Sequence, residues 1–172
     1  IKVADAYACF AQLLEVYADM NKKQAGIESP SFIDPTAKLG DNIHLGAFAH
    51  IGKNVKIGKN CVIYPHVFIG DNATIDENTT IYPNVTVYDA SIIGKNCIIG
   101  SNSAIVRGSA NELTILDDGV NMAPGCCVGH GTYIGKSVHF ANNVTIGGSV
   151  SIADYNFVGC GAIINPGVTI SE

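Results

Sequence analysis

Two residues eighteen positions apart, His130 and Gly148, are the strongest candidates for chemistry in this sequence. An imidazole can accept a proton from an attacking amine or alcohol at neutral pH. Gly148 has no side chain, which leaves its backbone N–H accessible as a hydrogen-bond donor. A base with a hydrogen-bond donor beside it suits reactions in which a proton is removed and negative charge develops on a neighbouring atom. A solvent-facing turn histidine and an ordinary turn glycine are the simpler interpretations.

Two basic side chains lie close enough along the chain to serve the same site. Arg107 is the only arginine, and it could pair with a substrate phosphate or stabilise a loop. Lys136 stands in a Gly-Lys-Ser turn, where a solvated charge is the simpler interpretation and contact with a cofactor phosphate is the functional one. Both are therefore candidates for substrate or cofactor binding.

The spacing of aliphatic residues indicates how the chain would bring these side chains together. An aliphatic or large apolar residue stands at every sixth position in two series, thirteen from Ile33 to Ile105 and ten from Leu116 to Ile170. A short strand with alternate side chains inside, followed by a Gly- or Asn-rich turn, explains this period, which a helix does not. Ile-Tyr-Pro occurs at 63–65 and again at 81–83, so three hexads form one coil. The sequence predicts an all-β parallel β-helix of about seven to eight coils over residues 27–172.

Two segments depart from the hexad repeat. Residues 5–24 carry apolar residues at helical spacing after Asp5, so residues 1–26 are predicted to contain an α-helix that caps the first coil. The interval between the two series is eleven residues instead of six, so residues 106–115 are predicted to bulge from the wall as a loop. If the chain then returns to the same wall, Arg107 lies one coil below His130.

Composition excludes several classes of function. The net charge of −5, with only ten Lys and Arg, argues against nucleic-acid binding. Apolar runs are too short to span a membrane. Six cysteines without CxxC pairs predict free thiols, and with no signal-peptide pattern they favour a cytoplasmic location. The spacing of His44, His50 and His66 does not suit zinc, so no metal is expected.

The repeat, aliphatic-Gly-x-x-small-x, resembles the hexapeptide-repeat acyltransferases over residues 31–171. This resemblance implies a left-handed parallel β-helix, a homotrimer and an active site between subunits. AYACFAQLLEVYA, SPSFIDPTAKLG, GAFAHIG and IYPHVFIG, all within residues 6–105, are similar to the UDP-3-O-acylglucosamine N-acyltransferases of lipid A synthesis. Arg-Gly-Ser at 107–109 and CCVGHG around His130 resemble that family and its sister, the UDP-N-acetylglucosamine O-acyltransferases, and FANNVTIGG at 140–148 resembles the sister family.

The resemblance assigns roles to the candidate residues. His130 would be the base for attack of a nucleotide-linked amino sugar on a thioester of acyl carrier protein or coenzyme A, and Gly148 would be the oxyanion donor. Asn142, within FANNVTIGG, is a further candidate for binding, and no tightly bound cofactor is implied. Gly131 stands where the family usually has Asp or Asn, and Ser149 stands where a second histidine is expected.

Two alternatives remain open from the same residues. His130 and His139, nine apart, together with NPGVTI at 165–170, resemble acetyl-CoA-dependent sugar acetyltransferases such as the sialic acid O-acetyltransferases. In that case His139 would hydrogen-bond the thioester carbonyl or the cofactor, and otherwise it is a surface histidine. Gly131 and Ser149 also permit a β-helix scaffold with little or no catalysis.

Overall fold

A computed structural model of the chain describes residues 23–107 and 112–171, together with Asp5, Cys9, Phe10 and Leu13. These residues contain 24 strands of two residues each, arranged in three parallel sheets of eight. The chain visits the three sheets in turn, so each set of three strands forms one coil and the sheets form three walls. The all-β architecture and the number of coils predicted from the hexads are confirmed.

The walls are named here in the order in which the chain reaches them. The first wall contains β1 Gly26–Ile27, β4 His44–Leu45, β7 Val62–Ile63, β10 Thr80–Ile81, β13 Ile98–Ile99, β16 Asn121–Met122, β19 His139–Phe140 and β22 Phe157–Val158. The second wall contains β2 Phe32–Ile33, β5 His50–Ile51, β8 Phe68–Ile69, β11 Thr86–Val87, β14 Ala104–Ile105, β17 Cys127–Val128, β20 Thr145–Ile146 and β23 Ile163–Ile164. The third wall contains β3 Lys38–Leu39, β6 Lys56–Ile57, β9 Thr74–Ile75, β12 Ile92–Ile93, β15 Ile115–Leu116, β18 Tyr133–Ile134, β21 Ser151–Ile152 and β24 Thr169–Ile170.

Alternation within the hexad decides which side chains form the core. In β4 to β22 the second residue of each strand is buried, and the first is partly or fully exposed in every strand but β4, where His44 is also buried. Burial of each aliphatic side chain contributes about 1.5–3 kcal/mol, so the stacked inward residues are the main source of stability. Nine asparagines at the second position of turns have φ between 54 and 60°, a left-handed conformation that Asn tolerates better than most residues.

The interruption between the two hexad series lies at one corner of the prism. Strands pair with a constant offset of eighteen residues on either side of it, whereas Ala104 pairs with Cys127 and Ile105 with Val128, an offset of 23. The five additional residues therefore fall between β14 and β15, where the second wall meets the third. Beyond this point the strands of both walls remain parallel and follow in the same order.

The predicted N-terminal cap lies mostly outside the described residues. Cys9, Phe10 and Leu13 are helical, and the Cys9 N–H donates to the carbonyl oxygen of Asp5 at 3.1 Å. The side chains of Phe10 and Leu13 are exposed. A helix is thus present at the described positions, but its packing over the first coil is not confirmed. Within the described parts of the chain, no helix is long and apolar enough to cross a membrane.

The six cysteines are free thiols, as the sequence predicts, but they are not all buried. Cys61 and Cys97 are buried, and this burial raises the pKa of each thiol to about 11. Cys9 and Cys160 are exposed. Cys160 is exposed because it lies in a turn of the last coils.

Candidate active site

The corner between the second and third walls carries His130, Gly148 and Arg107, and we call it the site corner. Each turn here has a first and a second turn residue between its two strands; in the coil of β17 these are His130 and Gly131. The first turn residues form a column that runs Lys53, Asp71, Asp89, Arg107, His130, Gly148, Pro166.

The imidazole of His130 lies directly against Gly148 on the next coil. A Cβ atom placed on Gly148 would be 2.6 Å from Cε1 and 2.8 Å from Cδ2 of the His130 ring, and closer still to Nε2. The ring therefore occupies the space that any larger side chain at 148 would need. His130 is exposed and Gly148 is buried, so a substrate could reach the imidazole from solvent.

The backbone N–H of Gly148 lacks the kind of carboxylate acceptor that covers the N–H groups of Lys53 and Asp71 lower in the same column. The Lys53 N–H donates to Oδ1 of Asp71 at 2.7 Å, and the Asp71 N–H donates to Oδ1 of Asp89 at 3.1 Å. Above Gly148 stands Pro166, whose side chain offers no acceptor. No hydrogen bond links the Gly148 N–H to another residue within the described ranges. A donor is therefore available next to the imidazole.

Arg107 lies one coil below His130, but its guanidinium has a partner on its other side. Nη1 of Arg107 is 3.6 Å from Oδ2 of Asp89, and both side chains are partly exposed, 63% and 40%. An exposed ion pair of this kind contributes little to stability. The contact favours the structural interpretation of Arg107, while its exposure leaves it accessible to an anionic substrate.

The other three candidate residues lie on different faces of the chain. Lys136 is a turn residue between the third and first walls, and Asn142 is a turn residue between the first and second walls. His139 begins β19 on the first wall, where it faces outward between Asn121 and Phe157. Within one chain, none of these three can serve the same site as His130.

Lys136 belongs to a corner where charges alternate from coil to coil. Lys59 and Lys95 contact Glu77 at 3.1 and 2.9 Å, and hydrogen bonds from Lys95 and then Lys59 hold the pKa of Glu77 below its ordinary value. Higher on this corner, the Lys136 N–H donates to Oδ1 of Asp154 at 2.7 Å. Lys136 is thus part of this charge pattern, on a corner separate from that of His130.

Glu112, which the sequence interpretation did not select, lies against the turn that carries His130. Its Oε2 accepts a hydrogen bond from the Ser149 hydroxyl at 3.3 Å, and a Cβ on Gly131 would be 2.7 Å from the same oxygen. Thr114 fixes the segment, because its hydroxyl accepts from the Gly131 N–H at 3.0 Å and donates to the Val106 carbonyl at 2.7 Å. The sequence signal for Glu112 was an acidic residue within the interruption of the hexad repeat. Because residues in that interruption have no hexad position, the spacing could not assign Glu112 to a wall or a corner.

His50 and His66, two of the histidines whose spacing does not suit zinc, stack on aromatic rings. His50 is stacked between Phe32 and Phe68, with ring centroids 4.7 and 4.9 Å apart, and His66 stacks on Phe48 at 5.0 Å. No cluster of three or more His, Cys, Asp or Glu side chains suited to a metal ion occurs among the described residues.

Comparison with solved structures shows similar β-helices. The UDP-N-acetylglucosamine acyltransferase of Francisella novicida is 32% identical with a TM-score of 0.70, over 84% of this chain and 55% of that chain. Another UDP-N-acetylglucosamine acyltransferase has a TM-score of 0.80 at 24% identity, over 84% of this chain and 61% of that chain, a likeness of fold alone. These matches agree with the left-handed β-helix expected from the sequence.

A short segment is also similar to curated enzymes. UDP-3-O-acylglucosamine N-acyltransferase of Christiangramia forsetii is 50% identical over 48 residues, which are 28% of this chain and 14% of that protein. The match therefore spans only a small part of that relative. One family model, that of the GMPPB C-terminal domain, matches residues 27–128, more than half of the chain, and this chain therefore belongs to that family. The acyltransferases compared above are similar to this chain in fold, and in sequence over part of their length.

Proposed function

We propose that this protein transfers an acyl group from a carrier thioester to the amino group of a nucleotide-linked amino sugar. One observation carries the proposal: the exposed imidazole of His130 lies against Gly148, whose N–H has no acceptor among the described residues. A base beside a fixed backbone donor is the minimum that thioester aminolysis requires.

The reaction follows from these two groups. Nε2 of His130 removes a proton from the acceptor amine as its nitrogen attacks the thioester carbonyl carbon. The carbonyl oxygen becomes negatively charged and accepts a hydrogen bond from the Gly148 N–H. The tetrahedral intermediate then collapses, the C–S bond breaks, and the imidazolium returns its proton to the departing thiolate. The products are an amide and a free thiol, and no tightly bound cofactor takes part.

The choice of substrates is supported by the relatives. Their printed names include a UDP-3-O-acylglucosamine N-acyltransferase and a UDP-N-acetylglucosamine acyltransferase, so we propose a UDP-linked amino sugar of lipid A synthesis as acceptor. Acyl carrier protein or coenzyme A would carry the acyl group. We place the reaction in the cytoplasm, where such thioesters are made.

A homotrimer would complete the site. Lys136, His139 and Asn142 lie on other faces of the chain than His130. They can approach the His130 imidazole only if they come from a neighbouring copy. We therefore propose that each active site lies between two subunits, with these residues contributed across the interface.

The test is a transfer assay that follows thiol release. Acyl carrier protein and coenzyme A thioesters of several chain lengths are supplied with UDP-linked amino sugars and with their hydroxyl analogues. His130→Ala is expected to lower kcat/KM by about 10²–10⁴-fold, the usual contribution of a general base. His66→Asn is the matched control, because His66 is an exposed turn histidine with a φ of 60° at another corner.

Two outcomes would contradict the proposal. Transfer that is unaffected by His130→Ala would remove His130 from the mechanism. Absence of transfer with every donor and acceptor would instead favour a scaffold role for the β-helix.

A further inference from the structure

Two tyrosine rings form a column at the corner between the first and second walls. Tyr64 and Tyr82 are aligned one coil apart, and their ring centroids lie 5.0 Å apart at an interplanar angle of 9°. Nζ of Lys23 lies over the Tyr64 ring, 5.6 Å from its centroid. On the next two coils the same position is occupied by Gly100 and Ala123. The column of aromatic rings therefore ends at Tyr82, and the ring face opposite Tyr64 has no aromatic partner above it.

Tyr82 and Gly100 line a groove of about 350 Å³, which we call the tyrosine groove. This volume lies at the small end of the range of ligand sites, about 300–1,000 Å³. Tyr82 and Ile98 are 39% and 43% exposed, and Pro124 adds further apolar surface to the groove. Among the described residues that line the groove, none carries a charge. The tyrosine groove therefore suits an uncharged group and not a phosphate or a carboxylate.

Two polar side chains of the tyrosine groove lack partners. Asn121, the first residue of β16, and the turn residue Ser101 both line the groove. Within the described ranges, no hydrogen bond joins the Asn121 carboxamide or the Ser101 hydroxyl to another residue. A carboxamide presents a donor and an acceptor side by side, and a hydroxyl can serve as either. These groups match the edge of a flat heterocycle that carries neighbouring donors and acceptors.

We propose that the tyrosine groove binds a nucleobase, whose ring stacks on Tyr82 and whose edge hydrogen-bonds to Asn121. Aligned residues on neighbouring coils are about 4.8 Å apart, and stacked aromatic rings prefer centroid separations of about 4.5–7 Å. A Cβ on Gly100 would be 2.5 Å from the Pro124 nitrogen, so a side chain at 100 would require the backbone to shift. The base takes the place in the column that a third tyrosine would otherwise fill.

The tyrosine groove lies at the level of the coil that carries His130. Asn121 begins that coil, and on the coil above it pairs with His139. Asn142 occupies the turn position directly above Pro124. The groove is thus continuous with the two residues, His139 and Asn142, that we propose to face the His130 of a neighbouring copy. Binding of the base stands on the groove alone, whereas its link to catalysis rests on the proposed function.

Both classes of proposed co-substrate offer a nucleobase. A UDP-linked sugar carries uracil, and coenzyme A carries adenine. The two bases share a flat ring with hydrogen-bonding groups along one edge, which is the chemistry that the groove recognises. Uridine and adenosine are uncharged and therefore probe the groove without contributions from phosphate groups.

The first experiment titrates the protein with uridine and, separately, with adenosine, and follows the tyrosine ring resonances by ¹H–¹³C NMR. The resonances of Tyr82, assigned with Tyr82→Phe, are expected to move upfield and to saturate, because a stacked base imposes its ring current on them. Stronger binding of uridine would assign the groove to the nucleotide-linked acceptor, and stronger binding of adenosine would assign it to coenzyme A. Either preference supports the proposal. Absence of a saturable shift at Tyr82 with both nucleosides would overturn it.

The second experiment removes the ring and measures Kd from the resonances of Asn121. Tyr82→Leu is expected to raise Kd about 5- to 100-fold, the usual contribution of stacking between a base and an aromatic side chain. Tyr82→Phe keeps the ring and is expected to bind within about twofold of wild type. Tyr88→Leu is the matched control, because Tyr88 is 45% exposed and lies at the site corner, outside the groove. Equal Kd values for Tyr82→Leu and Tyr82→Phe would overturn the stacking.

A further variant keeps the tyrosine column and tests the edge of the base, so that the test does not depend on the folding of Tyr82→Leu. Asn121→Leu removes the donor and the acceptor at similar size, and Kd is expected to rise about two- to tenfold. An unchanged Kd would overturn the role of Asn121. Because binding is measured without transfer, a protein that binds the base and transfers no acyl group would support this inference and contradict the proposed function. The two failures are therefore distinguishable.

Discussion

The lower and upper halves of the site corner share one backbone and differ in their side chains. In the lower half, the N–H groups of Lys53 and Asp71 are covered by carboxylates from the coil above. In the upper half, Gly148 and Pro166 occupy the same column, and the Gly148 N–H has no acceptor among the described residues. A closed corner and an open corner therefore arise from the same turn geometry.

This difference shows how a repeat fold can acquire a site without changing its backbone. In the turns of Lys53 and Asp71, the N–H of the first turn residue points toward the next coil, where a carboxylate accepts its hydrogen bond. Replacing that carboxylate by a residue without an acceptor frees the donor. A histidine one coil below then places an imidazole beside it, and no further rearrangement is needed.

The largest effect in this comparison is expected from Gly148→Ala. The new Cβ would be 2.6 Å from Cε1 of the His130 ring, so the imidazole must move away from the Gly148 N–H. A displacement of about 1 Å in a catalytic group costs on the order of 10²-fold in rate, and kcat/KM for acyl transfer should fall by that amount. Gly159→Ala is the control, because a Cβ on Gly159 has no neighbour within 4 Å. Equal activities for the two variants would show that the ring does not lie where catalysis needs it.

A smaller loss of activity is expected when a carboxylate covers the Gly148 N–H, as carboxylates cover the N–H groups in the lower half of the site corner. Pro166→Asp places above Gly148 the kind of side chain that Asp71 places above Lys53, where the N–H to Oδ1 distance is 2.7 Å. The carboxylate should occupy the Gly148 N–H and lower kcat about tenfold, part of what an oxyanion donor contributes. Pro166→Ala adds no acceptor and should retain activity. If both variants lose activity alike, the N–H of Gly148 is not the donor.

The smallest effect is expected from removing a carboxylate that covers an N–H group in the lower half of the site corner. Asp71→Ala removes the carboxylate that accepts a hydrogen bond from the Lys53 N–H, and this hydrogen bond is exposed to solvent. The free energy of unfolding should fall by about 0.5–1.5 kcal/mol, with transfer activity unchanged. Asp71→Asn keeps an acceptor oxygen and should be close to wild type in urea denaturation. A change in activity on Asp71→Ala would indicate that the two halves of the corner are coupled.

Much of the fold could be predicted because the hexad period assigns every residue to a wall or a corner. Residues eighteen apart stack, which is why His130 and Gly148 meet. The same period also separates candidates: Lys136 is six residues from His130, His139 nine and Asn142 twelve, so each falls on a different face of the coil. The resemblance grouped His139 and Asn142 with His130, and nearness along the chain grouped Lys136 with it, but position within the coil separates all three from His130.

The sequence by itself determined the period, the three walls, the buried row of each strand and the stacking of His130 on Gly148, because these follow from a repeat of fixed length. Only the tertiary structure decided the rest. The direction of the His130 ring depends on side-chain torsions that no spacing encodes. The coverage of N–H groups by Asp71 and Asp89, and the arrival of Glu112 at Gly131, depend on contacts between coils and on a segment outside the repeat. A regular period fixes which residues are neighbours, whereas the orientation of their polar atoms is settled only when the coils pack together.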